Sequence, residues 1–291
     1  MDYGLALPNI GFEANLDGIA AAAELAERHG FTDVWATDHL LVNHAAAEDY
    51  GRTYEAITTL AWLAGKSSTI RLGLSVVVVP MRSAVVIAKQ LATLDALSGG
   101  RVIAGFGVGW SPDEFANVGL ADRFHVRGAF TEETVALCRH LWSGSREPFE
   151  GRFYQFSDFV FQPLPDQGAT LPVWIGGRDE RALRRVGRIA DAYHASATSP
   201  ASLAPRIPII AAAAEAAGRP MPRLSARTRM ELGSGPESFY TIHGSAEEAA
   251  AEIRAFAALG VDHLVLMFPS RDAAGLAREV EHFVTEVKPL V

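Results

Sequence analysis

Two adjacent side chains able to hold and move a proton, Asp38 and His39, close the apolar run WATDHLLV at residues 35–42. An imidazole titrates nearest to neutrality of all side chains, so His39 is a candidate to donate a hydrogen bond or a proton to a bound ring system. Asp38 would then hold loop or ligand amides. The plainer alternative has Asp38 capping a turn and His39 resting against a carbonyl oxygen.

Two glycine-rich stretches are the other candidates. In GFGVGW (105–110) the glycines fall as GxGxG, and Trp110 stands where a dinucleotide fingerprint needs its third small residue, so a Rossmann reading is rejected. Gly107 and Gly109 suit either close approach of main chain to a flat ligand or simple packing in a crowded strand. In WIGGRDERALRRVGR (174–188) a strand ends at Gly176–Gly177 and a helix starts at once, which leaves main-chain donors and a positive dipole end for a phosphate, with Arg178 adding charge. Asp179 and Glu180 are ordinary first-turn acids, and a plain glycine turn is the competing explanation. Ser245 and Glu248 in GSAEE read as a capping box.

Other chemistries find no support. There is no HExxH pair, GxSxG elbow or GxxxxGK[ST] loop, and strand-end acids are too few for a divalent-metal barrel, so no metal site is expected. His125, His140 and His243 read as solvated or packing residues. The single cysteine, Cys138, lies in a helical pattern and reads as a buried structural thiol. A formal charge of -8 disfavours nucleic-acid and anionic-membrane partners, which require a basic face. The start of the chain lacks the pattern of a signal peptide, and no apolar stretch reaches the roughly 18 residues of a membrane span. A cytoplasmic location is therefore expected.

These side chains need a scaffold, and the chain's periodicity supplies one. Eight strand-like runs alternate with segments of helical period: YGLAL (3–7), DVWAT (33–37), RLGLSVVVV (71–79), RVIAGFG (101–107), PVWIG (172–176), DAYHAS (191–196), RLSARTRMEL (223–232) and HLVLMF (263–268). In LDGIAAAAELAERHG, for example, Leu16, Ile19, Ala20, Ala23 and Ala26 would share one face. Strands alternating with helices imply a parallel sheet, and eight such units imply a closed (β/α)8 TIM barrel, taken here as one domain over residues 1–291. Residues 145–172 alternate aromatic and polar residues like an antiparallel insertion between strands four and five, expected over the barrel mouth. Pro205, Pro208, Pro220 and Pro222 mark an irregular helical lid or linker after the sixth strand. Barrel active sites lie at the carboxyl ends of the strands, which selects Asp38, His39, Pro80, Met81, Gly107, Gly109, Trp110, Gly176, Gly177, His194 and Ser196.

Taken together, GFTDVWATDH (30–39), RLGLSVVVVP (71–80), GGRVIAGFGVGWSPDEF (99–115) and PVWIGGRDERALRRVGRIAD (172–191) resemble the bacterial luciferase-like flavin and deazaflavin oxidoreductases. The resemblance implies a flavin-like ring bordered by Asp38 and His39, with a bulge at Ser75–Val76 beneath it and a cis peptide bond there in several relatives. It implies Gly107 and Gly109 close to the cofactor, and its phosphate held by Ile175, Gly176, Gly177 and Arg178. Relatives often carry a small hydroxyl residue near Arg178 and Asp179 that this chain lacks. The length and the GFGVGW pattern look more like the branch that uses coenzyme F420 than the branch that uses FMN. The expected activity is hydride transfer between deazaflavin and a small apolar unsaturated or carbonyl substrate. The alternatives are an FMN-dependent monooxygenase and a non-catalytic flavin-binding barrel. His39 is the expected catalytic residue, and Phe12, Trp35, Trp110 and His194 are expected walls of the substrate pocket. Relatives that oxidise a sugar phosphate carry an acid where this chain has Trp110, which speaks against that substrate. Homodimerisation is expected by analogy with the family.

Overall fold

The computed structural model describes residues 1–233 and 240–291. The eight apolar runs form β1 (Asp2–Ala6), β2 (Asp33–Ala36), β3 (Arg71–Leu74) with its continuation β4 (Val77–Val78), β5 (Val102–Gly107), then, past a short hairpin of β6 (Phe149–Glu150) and β7 (Gln155–Phe156), β8 (Val173–Ile175), β9 (Ala192–Ser196), β10 (Arg223–Met230) with β11 (Thr241–Ile242) beside it, and β12 (His263–Met267). Among the described residues the parallel order β12-β1-β2-β3-β5-β8-β9-β10 closes on itself through β10 and β12, giving the expected barrel. The third run is broken. Gly73 faces Ile103 and Val77 faces Phe106, so four steps along one strand meet three along the other, which is a bulge, and the Ser75–Val76 peptide within it is cis.

The crossovers carry α1 (Leu16–Arg28), α2 (Ala47–Tyr50), α3 (Ala56–Ala64), α4 (Ala84–Ser98), α5 (Pro112–Asn117), α6 (Arg127–Trp142), α7 (Glu180–Ile189), α8 (Pro200–Leu203), α9 (Ile207–Ala216), α10 (Ala246–Ala258) and α11 (Ala273–His282). Their caps follow the sequence: Asn15 opens α1, and Ser245 with Glu248 forms the anticipated box at α10. The apolar face of α1 centres on Ile19, Ala22, Ala23, Leu25 and Ala26, whereas Leu16, expected on it, is exposed. Pro205 lies in a 3-10 turn (Ala204–Arg206) between α8 and α9, Pro208 lies in the first turn of α9, where a missing N–H removes no helical bond, and Pro220 and Pro222 follow the helix, so the stretch after β9 is an interrupted helical one as expected. Cys138 is fully buried in the core, as expected. No helix among the described residues is long and apolar enough to cross a membrane.

The insertion is antiparallel, as its alternation predicts, but it does not cover the mouth. It straps the outer faces of α4 and α6. Phe149, Phe156 and Phe159 surround His140, Phe153 and Tyr154 pack on Phe130, and the Glu133 carboxylate accepts the amides of Arg152, Phe153 and Tyr154. Burying five aromatic rings on an apolar helix pair stabilises more than arching them over solvent. The mouth is instead roofed by the loops after β2 and β5, joined by Asn43–Asp113 at 2.6 Å and Asn117–Leu41 at 2.9 Å.

Alternation along each strand divides the core in two. Outward residues such as Leu5, Val34, Leu72, Ala104, Ile175 and Leu264 meet the helices, and inward Ala6, Trp35, Ile103, Trp174, Ala192 and Val265 fill the barrel. Trp35 is fully buried, stacked on His194 at 4.6 Å and leaning on Trp174 at 4.9 Å. It fits because its neighbours across the strands are Gly4 and Gly73: a Cβ at Gly73 would lie 2.5 Å from the indole. Trp35 and His194 therefore fill the barrel below the mouth and do not wall a substrate pocket, correcting the expectation. Both occupy inward positions short of the strand ends, where a side chain meets other side chains rather than a ligand.

A chain of polar groups threads this interior. Arg227 Nη1 donates to Ser75 Oγ (3.3 Å), Ser75 Oγ meets His194 Nε2 (2.8 Å), and His194 Nδ1 meets Ser225 Oγ (3.0 Å). Ser225 Oγ meets His263 Nδ1 (2.8 Å), and His263 Nε2 meets Asp33 (2.9 Å), which also accepts from Thr32 and Trp35. Burial works against charge on Asp33, but its donors outweigh burial and hold the carboxyl below the usual carboxylate range. With a cation donating at one end and a carboxylate accepting at the other, all five bonds are satisfied by donation in one direction, from Arg227 to Asp33.

Two outcomes follow from this packing. Gly73→Ala forces a methyl into the Trp35 ring and should lower the urea unfolding free energy by about 1–3 kcal/mol. Burial pulls the His194 pKa to about 3 from its ordinary 6.5, so the unfolded chain binds a proton that the folded chain refuses, and the ring's contribution is complete above pH 6.5 and lost as pH falls toward 3. Between pH 6.5 and 5 the wild type should lose about 1.5 kcal/mol more than His194→Gln in denaturant titrations; parallel slopes would refute it.

Candidate active site

The alternation that turns Asp33 and Trp35 inward continues past the end of β2, so Thr37 and His39 face the barrel axis and Asp38 faces away. Asp38 is buried and accepts the Val78 N–H at 2.9 Å and Arg82 Nη2 at 2.7 Å, while the same guanidinium nitrogen reaches Glu55 at 3.2 Å. Burial raises the Asp38 pKa above the usual carboxylate range, against the pull of Arg82 and the amide. Of the two roles expected for it, holding a loop amide is the one its geometry serves: it ties the strand beyond the bulge to the end of β2, and both its oxygens are committed there.

His39 Nδ1 lies 2.9 Å from Glu114 Oε2, and the other oxygen of Glu114 accepts the Leu40 N–H at 2.6 Å. Burial opposes the charge on Glu114, but the bonds from His39 and Leu40 prevail and lower its pKa. An ionised Glu114 requires the proton on Nδ1. His39 Nε2 has no partner among the described residues and is not sealed from solvent. The ring is flanked by Tyr50 at 4.3 Å and Trp110 at 6.1 Å.

Glu114 and Tyr50 were missed by sequence reasoning. Glu114 carried a signal: Ser111-Pro112-Asp113-Glu114 has the spacing of a capping box, and Ser111 does accept the Glu114 N–H at 3.3 Å. The carboxylate, however, turns away from the cap to His39. Tyr50, on the four-residue α2, carried none.

The bulge forms a shelf beside His39. Ser75 is held from both sides, its hydroxyl by His194 and its carbonyl by Arg227 Nη1 at 3.1 Å. Val76 stands between two glycines, with one methyl 2.3 Å from where a Gly107 Cβ would be and the other 3.9 Å from a Gly176 Cβ. A Cβ at Gly109, which has φ +76°, would strike Phe115 and Val78. Gly107 and Gly109 thus meet a packing need of the chain itself, the second of the two readings their sequence allowed.

Beyond the shelf, Gly177 (φ +134°) turns the chain into α7, and its Cβ would strike Ala182. Asp179 caps the helix through the Ala182 N–H at 2.8 Å, taking one of the donors expected to be free for an anion. The amides of Gly177 and Arg178 have no partner among the described residues. Arg178 is exposed and donates to Ser196 O at 3.0 Å. Ile175 is corrected: its side chain is buried in the outer core, so only its main chain can approach a ligand. Phe12 and Trp110 remain exposed at the rim, at 59% and 58%.

Residues 4–257 match the profile of the luciferase-like monooxygenase family. A protein of Nakamurella multipartita named F420-dependent glucose-6-phosphate dehydrogenase is 31% identical over 247 residues, covering 84% of this chain and 69% of that one. One of the same name from Kineococcus radiotolerans is 31% identical over 191 residues, 63% of this chain and 55% of its own length, so the match spans little more than half of that relative. Among solved structures, an F420-dependent secondary alcohol dehydrogenase in complex with an F420–acetone adduct aligns with a TM-score of 0.84 over 100% of this chain and 98% of its own, at 20% identity. The likeness there is one of fold. With the profile spanning all but the first three residues and the last part of a barrel whose strand ends carry His39, the bulge and the glycine turn, the chain belongs to the luciferase-like monooxygenase family of oxidoreductases.

Proposed function

We propose that the enzyme uses coenzyme F420 to exchange hydride with a small substrate bearing a carbonyl group or an unsaturated bond. The observation that carries this reading is the His39–Glu114 pair, open at Nε2 beside the Ser75–Val76 shelf. The residues present fit such a cofactor. The shelf offers main chain and one aliphatic side chain to a ring, and the unpartnered amides of Gly177 and Arg178, with the Arg178 charge, offer donors to a phosphate. When bound, F420 supplies a ring carbon that gives or takes hydride and reacts poorly with oxygen.

The protein's own part is to hold the reactants and manage a proton. Glu114 keeps the Nδ1 proton in place, so His39 presents Nε2 to the mouth. In the oxidising direction Nε2 takes the proton of a substrate hydroxyl; in reduction it returns a proton to the carbonyl oxygen. Tyr50 and Trp110 narrow the approach and limit water. The F420-dependent names of the relatives support the choice of cofactor. Trp110, standing where sugar-phosphate oxidisers carry an acid, supports a different substrate from the one in those names.

Separate titrations with F420 and FMN, followed by fluorescence quenching, should show saturable F420 binding at least about tenfold tighter than FMN, a difference of about 1.4 kcal/mol. Tighter FMN binding with substrate-dependent oxygen uptake would establish the monooxygenase instead, and tight binding without substrate-dependent reoxidation a carrier. His39→Ala should lower kcat by about 100-fold or more. Glu114→Gln should lower it less and move the pH-rate profile, since the residue acts through His39; a wild-type rate in His39→Ala would remove the assigned role.

A further inference from the structure

Arg227 lies midway along β10, level with the last residue of β9, and reaches toward Ser75 and Thr37 near the barrel mouth. Its Nη1 donates to Ser75 O and Oγ at 3.1 and 3.3 Å, and its Nη2 to Thr37 Oγ1 at 2.8 Å and Met267 Sδ at 3.4 Å. Every one of these acceptors is neutral. Among the described residues Nε has no partner and no carboxylate pairs with the guanidinium. The residue is 8% exposed, and burial pulls its pKa down to about 10, so the charge persists at neutral pH without a counter-ion.

Nor is the charge alone. Arg271, whose Nη1 donates to the carbonyl oxygens of Phe268 and Pro269, acts repulsively on Arg227, and both Arg178 and Arg229 join Arg227 in favouring charge on Tyr50. A chain with a net charge of -8 thus gathers cations at one end of its barrel. A buried, unpaired charge is unfavourable by several kcal/mol unless something compensates it, and such sites coincide with function.

We propose that Arg227, reinforced by Arg271, is a receptor for a carboxylate group on the substrate, in place of the small apolar unsaturated or carbonyl substrate expected from the sequence. This inference rests on the proposed hydride exchange and names the substrate class for the same mouth. A planar guanidinium matches a planar carboxylate edge to edge, and the two longest contacts of Arg227, to Met267 Sδ and Ser75 Oγ, are those a carboxylate would replace. A phosphate dianion is the poorer match, because stripping water from two charges at so buried a position costs more than stripping it from one. The carboxylate would then sit on the opposite side of Ser75 from His194, with the rest of the substrate reaching toward His39.

Acetate is the probe, titrated calorimetrically into the free protein and into the protein saturated with oxidised F420. The expected result is saturable binding in both, salt-sensitive and tighter than inorganic phosphate. It should weaken at least about 30-fold in Arg227→Gln and weaken partially in Arg227→Lys. Arg271→Gln, at a position whose hydrogen bonds go to the Phe268 and Pro269 carbonyls with Glu13 and Glu279 in electrostatic reach, should weaken acetate several-fold and serves if Arg227→Gln does not fold. Absence of saturable acetate binding, or tighter phosphate binding, overturns the assignment. So does acetate competing with F420, or an Arg227→Gln variant that loses F420 but keeps acetate, since the guanidinium would then serve the cofactor. Acetate bound by the free protein in a chain that binds no F420 would leave the carboxylate site standing and refute the cofactor.

Discussion

The buried carboxylate of Asp38 holds together the two strand ends on which the site is built. β3 breaks at Ser75–Val76 in a bulge that leaves one residue unpaired, and the ladder resumes only through Val77 and Val78 on β5. Asp38 adds a second hold to this short ladder by accepting the Val78 N–H and by pairing with Arg82, which lies a turn beyond. Losing one member of a buried pair of this kind costs about 3–5 kcal/mol, a large share of a typical folding free energy. The bulge depends on that hold, and with it the position of Ser75, the only residue touched by both Arg227 and His194 among the described residues.

From Ser75 the polar interior runs in two directions that have opposite consequences. Toward the floor, each donor meets an acceptor until the chain ends on Asp33, so the barrel tolerates two histidines, two serines and an aspartate among tryptophans. Toward the mouth it ends on Arg227, whose charge no acid of the described chain neutralises. The core is thus polarised along its axis, with its negative end sealed at the floor and its positive end presented where a ligand enters. His39 stands beside that end with its own acid, Glu114, behind it, so the proton-handling group is compensated and the guanidinium is not. In the proposed roles of these residues, holding an anion and moving a proton fall to separate groups.

Much of this was legible along the chain, and the exceptions have a common form. The eight runs and their helical crossovers follow from residue periodicity, which is local. The glycine turn before α7 and the capping box at α10 are likewise local. The insertion between the fourth and fifth units showed its antiparallel character through alternation, but its resting place on α4 and α6 depends on Phe130, Glu133 and His140 meeting it from another element. Trp35 and His194 were misread as pocket walls because proximity to a strand end looks the same in sequence whether the next layer is ligand or side chain.

By itself the sequence determined the fold class and the family, since each rests on patterns within a few tens of residues, and it selected the strand ends at which the candidate site is sought. Only the tertiary structure decided that His39 pairs with Glu114, 75 residues later, and that Asp38 and His39, adjacent in the chain, serve opposite sides of a strand. It alone decided that arginines from separate elements share one mouth. Closure of the barrel brings these groups together, and closure is a property of all eight strands at once that no local spacing encodes.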